Sequence, residues 1–293
     1  MFRPRTLHSG PLRFSALEMG EGPLVVLLHG FPDINRTWRF QLPALAAAGF
    51  RAVAPLLRGY EPASRPADGD YRLTRLAEDV VAWLDELGAA RAHLIGHDWG
   101  AVVGYAAAGM APERFHSLTT LAVPHLRHLP AGLARVPQQV RKSWYMGYFQ
   151  LPGLAAWGLR HDDFALVERL WRDWSPGWRL PAEEMAAVKT VLRAPGVAPA
   201  ALAYYRAAFR PFSRAGLGTL RRLTAVVPVP TLALTGAQDG CIDTRLYDVL
   251  MRPADFPAGL RVVRIAGAGH FLQQETPAAV NREILTWYRD VEA

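Results

Sequence analysis

The 293-residue chain is 51% hydrophobic and 20% charged with a formal charge of +7, a balance that excludes intrinsic disorder and low-complexity architecture. The basic excess is carried by 31 arginines and two lysines spread along the chain, and with Arg141-Lys142 and Arg221-Arg222 the only adjacent pairs, it offers no nucleic-acid footprint. One cysteine, Cys241, excludes an intrachain disulfide framework and any multi-cysteine metal or redox motif, and permits a reducing compartment.

In chain order, the N-terminal Met1-Phe2-Arg3-Pro4-Arg5 has no continuous apolar run behind it, so no signal peptide is expected. Leu24–Leu28 reads as a buried strand entering the turn His29-Gly30. Asp33 stands where a helix N-cap belongs, before a segment reaching about Ala48, and Gly49 supplies the stop. A strand follows at 51–57, then a Pro/Gly/Asp-rich loop to Asp70. Leu76, Val80, Trp83, Leu84 and Leu87 have helical spacing within 73–87. A strand at 92–95, a helix from Trp99 to about Met110 and a strand at 117–123 come next.

Strands alternating with helices at this rhythm predict a mostly parallel sheet with helices on both faces. The rhythm fails from Pro124 to about Phe212, where prolines, tryptophans and helical patterns dominate, and resumes with strands at 229–235 and 262–265 and a helix at 277–288. The expected organisation is an α/β core in two parts, 1–124 and 213–293, interrupted by an all-helical cap at 125–212. The longest stretch without Asp, Glu, Lys or Arg, 143–159, holds Pro152 and three glycines and is too short to span a bilayer. A cytoplasmic protein without a membrane span is expected.

Gly96-His97-Asp98-Trp99-Gly100 lies between a strand and a helix. Small residues two before and two after a central nucleophile are what a tight strand-turn-helix elbow requires, and the elbow lifts Asp98 above the carboxyl edge of the sheet. Alone, Gly-x-Asp-x-Gly is a common turn. Its company makes it specific. In His29-Gly30-Phe31-Pro32 the Phe31 N–H can join that of Trp99 in an oxyanion hole, and His270, in Gly267-Ala268-Gly269-His270, follows the last strand on a loop able to carry an imidazole over the sheet.

With HGFP, GHDWG and GAGH in this order, the chain resembles the α/β-hydrolase fold family over nearly its whole length, and most closely the epoxide hydrolase branch. The resemblance implies an acid after the strand before the insertion or after the one behind it. Between Asp98 and Asp162 the only carboxylate is Glu113, so Asp239 is assigned and Asp243 is read as a surface or capping residue. The resemblance also implies two cap tyrosines: Tyr145, in Ser143-Trp144-Tyr145-Met146, and Tyr205, in Tyr204-Tyr205-Arg206, with Tyr148 and Tyr204 as the neighbours to distinguish from them. Two departures stand in Pro55-Leu56-Leu57-Arg58-Gly59-Tyr60-Glu61, where Leu56 replaces a frequent Asp and Glu61 a frequent Gly.

An aspartate nucleophile narrows the chemistry. Attack on an ester carbonyl would give a reactive anhydride, whereas attack on saturated carbon gives an alkyl ester that water can cleave. Epoxides and alkyl halides are the candidates. The resembling haloalkane dehalogenases commonly carry a Trp beside the nucleophile, here Trp99, and an Asn where this chain has Phe31; an epoxide oxygen needs an acid such as tyrosine. The expectation is therefore an epoxide hydrolase with Asp98 as nucleophile, His270 and Asp239 as base and orienter, Tyr145 and Tyr205 as acids, and Phe31, Trp99, Pro32 and His97 lining the substrate. A haloalkane dehalogenase on the same triad is the alternative, and a catalytically silent binding protein the reading of another class. No metal or organic cofactor is expected, since His125 and His128 have no carboxylate near them in sequence. The expected partners are a small apolar epoxide and water, with a homodimer compatible with the chain.

Overall fold

The computed structural model describes residues 2–208 and 214–292. Eight strands form one sheet: β1 (Arg3–Ser9), β2 (Leu12–Met19), β3 (Leu24–Leu28), β4 (Arg51–Pro55), β5 (Ala92–His97), β6 (Phe115–Leu121), β7 (Thr231–Gly236) and β8 (Leu260–Ile265), in the spatial order β1-β2-β4-β3-β5-β6-β7-β8. β1 and β2 join antiparallel and the remaining pairings from β4 to β8 are parallel. The chain turns to one side of β3 to make β4 and to the other to make β5. The crevice between the ends of β3 and β5 is thus the switch point where open α/β sheets bind ligands.

β3 is buried throughout because it is covered on both faces. Val26 and Leu28 face a cluster with Leu94, Leu118 and the helices α2 (Leu73–Glu86) and α3 (Trp99–Met110), while Val25 and Leu27 face Ile95, Leu232, α1 (Gln41–Ala47) and the C-terminal helix Pro277–Glu292. On α2, Leu73, Leu76, Ala77, Val80, Trp83 and Leu84 bury one stripe. Each large side chain there contributes at most ~1.5–3 kcal/mol of transfer free energy.

Between β6 and β7 the described residues form helices and no strand: α4 (Leu129–Arg135), α5 (Gln138–Lys142), α6 (Trp144–Tyr148), α7 (Pro152–Trp174), α8 (Ala182–Arg193), α9 (Val197–Ala208) and α10 (Arg214–Leu223). α7 is broken where Asp162, Asp163 and Phe164 take positive φ. The expected cap end at 212 and the restart at 213 lie outside the described residues. Polar contacts seat this helical layer on the sheet. Arg36 and Arg39 pair with Glu184, the Trp171 indole donates to the Pro32 carbonyl at 3.0 Å, and Tyr204 Oη donates to the Arg58 carbonyl at 2.5 Å.

Three expectations on local structure are corrected. The antiparallel hairpin β1–β2 precedes the strand read as the first, although Leu12, Phe14 and Ala16 alternate inward with period two. Asp33 does not cap a helix: it is buried, accepts from the Ile34 N–H and the Gln274 amide, and the chain passes through a 3-10 turn at Asn35–Trp38 before α1 begins at Gln41. The strand expected at 117–123 is β6 at Phe115–Leu121, and its last two expected residues carry the chain out of the sheet.

The 55–61 loop shows how its two departures are accommodated. Arg58 finds its acid on α2, in a buried two-pronged pair with Asp79 at 2.6 and 2.7 Å. Glu61 accepts from the backbone and hydroxyl of Ser15, tying the loop to β2.

Candidate active site

Asp98 follows β5 and starts α3 with φ 50° and ψ −116°, a conformation that costs an L-residue ~1–3 kcal/mol and persists only where packing dictates it. The packing is backbone on backbone. A Cβ on Gly96 would overlap the Gly100 carbonyl, and one on Gly100 would overlap the carbonyl oxygen of Leu28 in β3. Gly100→Ala is therefore expected to cost ~1–3 kcal/mol or more through overpacking. Thermal unfolding should register it as a fall of several degrees in Tm, and an unchanged Tm would show that the elbow is looser than it looks.

The end of β3 brings the Phe31 N–H to Asp98 Oδ1 at 2.8 Å, and the chain continues through a cis Phe31-Pro32 peptide. His29 holds this loop: its Nδ1–H donates to the Gly30 carbonyl at 2.9 Å and its Nε2 accepts from the Leu57 N–H at 3.0 Å. Burial lowers the His29 pKa to about 4, which keeps the ring neutral and able to serve both contacts.

His270, fully buried on the loop after β8, sets Nε2 3.7 Å from Asp98 Oδ2 and Nδ1 2.9 Å from Asp239 Oδ2. Asp239 Oδ1 accepts from the N–H groups of Cys241 and Ile242 at 2.7 and 2.8 Å, so its carboxylate is held on both sides. Asp243 is turned away, paired with Arg245 and capping its own turn. Burial opposes charge on the His270 imidazole, but Asp239 and then Asp98 outweigh it and lift the pKa to about 10. The folded protein thus binds this proton more tightly than the unfolded chain does. That stabilisation is complete below about pH 6.5 and is lost as pH rises through about 10. Tm should fall across that window in the wild type and less steeply in His270→Gln; parallel curves would contradict the pairing.

His97 lies behind this centre. Its Nε2–H donates to the His270 carbonyl at 2.9 Å, its ring packs on His270 and Phe271, and burial, then the neighbouring imidazolium, lower its pKa to about 3.

The helical layer supplies the opposite wall. Tyr205 packs edge-on against Trp99 and Phe31, with ring centroids 5.1 and 5.5 Å apart, and Tyr145 packs against Tyr205 at 5.9 Å. Burial first, and then Cys241 and Tyr205 for Tyr145 and the Asp98 charge for Tyr205, push both phenols well above their ordinary value, which keeps them protonated donors. Tyr204 spends its hydroxyl on Arg58, and Tyr148 donates to the Leu154 carbonyl, so neither shares the position of the other two. The Tyr205 hydroxyl is buried without a hydrogen-bond partner. The nearby groove of about 780 Å³, lined by Arg65, Tyr71, Arg72, Ala200 and Arg206, stands outside this chemistry, with Tyr204 packed at a tilt between Tyr71 and Trp99.

Two supports had no sequence signal. The Trp174 carbonyl, at the end of α7, accepts from both Gly240 and His270, joining the acid loop and the histidine loop with one oxygen. Ser175 donates to Glu275, which in turn receives the Gly269 N–H, bracing the histidine loop. His128, read as having no carboxylate near it, pairs with Asp255 at 2.8 Å. Among the described residues the one cluster with metal-ligating spacing is Asp239, Cys241 and His270, whose donor atoms lie within 4.8 Å of one another, and two of them are already joined in the Asp239–His270 hydrogen bond.

A strained aspartate elbow, a histidine held by a second acid and a helical layer inserted after β6 define a class of protein. Residues 23–277 match the family model for the alpha/beta hydrolase fold, and the chain belongs to that family, in its epoxide hydrolase branch. It is 32% identical to Epoxide hydrolase A of Mycobacterium tuberculosis over 98% of both chains, and 30% identical to the AB hydrolase superfamily protein YfhM of Bacillus subtilis over 95% of this chain and 94% of that one. A crystal structure of a Bacillus megaterium epoxide hydrolase with an inhibitor superposes with a TM-score of 0.85 at 27% identity, over 97% of this chain and all of the other. Among the described residues no helix is long and apolar enough to cross a membrane.

Proposed function

We propose that this protein hydrolyses small apolar epoxides to vicinal diols through a covalent ester on Asp98, beneath a lid formed by the described helices between β6 and β7. The observation that carries the reading is the facing arrangement of Asp98, with His270 Nε2 3.7 Å away, and the paired phenols of Tyr145 and Tyr205. Asp98 Oδ1 is occupied by the Phe31 N–H, which leaves Oδ2 to attack the ring carbon. The carbon–oxygen bond of the ring breaks, and its oxygen takes a proton from a phenol. The phenolate regains its proton from solvent and the imidazolium gives one up to solvent, which leaves His270 neutral. The same step turns the Asp98 charge into a neutral ester, which removes one of the two carboxylates that raise the His270 pKa and makes the ring a base. It then deprotonates a water that attacks the ester carbonyl, the oxyanion forms at Oδ1 against the Phe31 N–H, joined by that of Trp99, and collapse releases the diol. No step calls for a metal or organic cofactor. The single buried cysteine fits a reducing, cytoplasmic setting.

A single turnover in ¹⁸O-labelled water tests this route. Label should enter the Asp98 side chain on the first cycle and reach the diol only on later ones. Label in the diol from the first cycle would mean direct attack by water. Halide release from bromoalkanes without diol formation from epoxides would favour the dehalogenase reading that Trp99 allows.

A further inference from the structure

Three consecutive backbone N–H groups on the histidine loop end on one small set of acceptors. Gly269 donates to Glu275 Oε2 at 2.8 Å, His270 to the Trp174 carbonyl at 3.1 Å and Phe271 to Ser175 Oγ at 3.2 Å. Ser175 passes its own hydrogen to Glu275 Oε1 at 2.6 Å. The carboxylate thus holds the residue before His270 directly and the residue after it through one hydroxyl. Trp174 and Ser175 are the last residue of α7 and its cap, so they belong to the helical layer rather than to the sheet. The two backbones meet without side chains between them: a Cβ on Gly269 would come within 2.6 Å of the Ser175 Cα and 2.9 Å of the Trp174 carbonyl oxygen. The Trp174 ring also packs on the His270 ring, with centroids 5.1 Å apart. Burial pushes the Glu275 carboxyl above its ordinary range, against the pull of the Ser175 and Gly269 donors. A packing residue at 275 would avoid that desolvation cost.

We infer that Glu275 is a positioning residue for the hydrolytic half-reaction: with Ser175 it clamps the histidine loop to the end of α7 and so sets where His270 Nε2 stands over the Asp98 ester. This rests on the covalent-ester reading and adds a residue to its second step. The bond from Nδ1 to Asp239 fixes which way the ring turns, but it does not fix the main chain that carries the ring. Ring opening makes no use of the clamp. The Phe31 N–H that holds Asp98 Oδ1 lies on the loop after β3, and Tyr145 and Tyr205 lie on α6 and α9.

Rapid-quench mass spectrometry of the Asp98 adduct, with styrene oxide as probe, reads the two half-reactions separately. Glu275→Ala should slow adduct hydrolysis about ten- to a hundredfold, the scale on which a reacting group displaced by ~1 Å loses rate, and leave adduct formation within about twofold of wild type. Glu275→Gln, which keeps an acceptor for the Gly269 N–H, should recover most of the loss. Ser175→Ala should slow the same step by a smaller factor and add little in a Glu275→Ala background, because both act along one chain of hydrogen bonds. Hydrolysis at the wild-type rate in Glu275→Ala, equal slowing of both half-reactions, no recovery in Glu275→Gln, or multiplying effects of the Ser175 and Glu275 changes would each overturn the assignment while leaving the ester intact. Absence of any Asp98 adduct in the wild type, with diol still formed, would instead overturn the covalent reading and this inference with it.

Discussion

Replacing His270 with glutamine should arrest the enzyme after a single turnover, with one epoxide bound per chain as an ester on Asp98 and steady-state turnover reduced by ~10³–10⁴. The parts needed for ester formation survive the change. Oδ1 of Asp98 keeps the Phe31 N–H, and Tyr145 and Tyr205 sit on the helical layer rather than on the histidine loop. What disappears is the base. Glutamine cannot take a proton from water, and Asp239, bound by the Cys241 and Ile242 N–H groups, faces the Nδ1 side of the imidazole rather than Asp98. Intact-mass measurement should show a gain equal to the epoxide, localised to the peptide containing Asp98. Turnover near the wild-type rate would remove His270 from the hydrolytic step, and loss of activity without any adduct would place it in ring opening instead.

The elbow was legible because its requirements are local. Two glycines at fixed spacing, a buried aliphatic strand before them and an apolar helix behind them impose the geometry of Asp98, and Gly96 and Gly100 are where backbone meets backbone. That Asp239 rather than Asp243 would reach His270 was legible for a similar reason, since the strand β7 ends three residues before Asp239. What did not show is contact between segments far apart in sequence that runs through backbone atoms. The Trp174 carbonyl binds Gly240 and His270 whatever side chain residue 174 carries, so composition holds no trace of it. The contact of Cys241 with Tyr145 spans 96 positions and joins two residue types that are each more often simple packing. Asp33 misled for a different reason. Its carboxyl can satisfy the Ile34 N–H in a local turn as readily as it can cap a helix, and Gln274, brought from the far end of the chain, decided for the turn. The hairpin β1–β2 did carry a signal, Gly10-Pro11 between two runs, but β1 faces solvent on most positions and reads as polar.

Removing both phenols, in Tyr145→Phe with Tyr205→Phe, should abolish ring opening, a loss of ~10⁴ or more in the rate of adduct formation, while each single change leaves a measurable rate. The epoxide oxygen departs as a strongly basic alkoxide, and the surroundings offer little else to protonate it. The His270 imidazolium is held between Asp98 and Asp239, on the side of the nucleophile rather than of the leaving group. Stability should move differently from activity, and that separates chemistry from packing. The Tyr205 hydroxyl is buried without a partner, so its removal relieves the cost of an unsatisfied polar group and should leave Tm unchanged or slightly raised. Tyr145→Phe loses the contact to Cys241 and should lower Tm modestly. A Tyr205→Phe enzyme that is as stable as wild type yet slow to form the adduct would mark a group retained for reaction at the expense of fold stability. Full activity in the double variant would exclude both phenols from the mechanism and return the choice of leaving group to Trp99 and the halides.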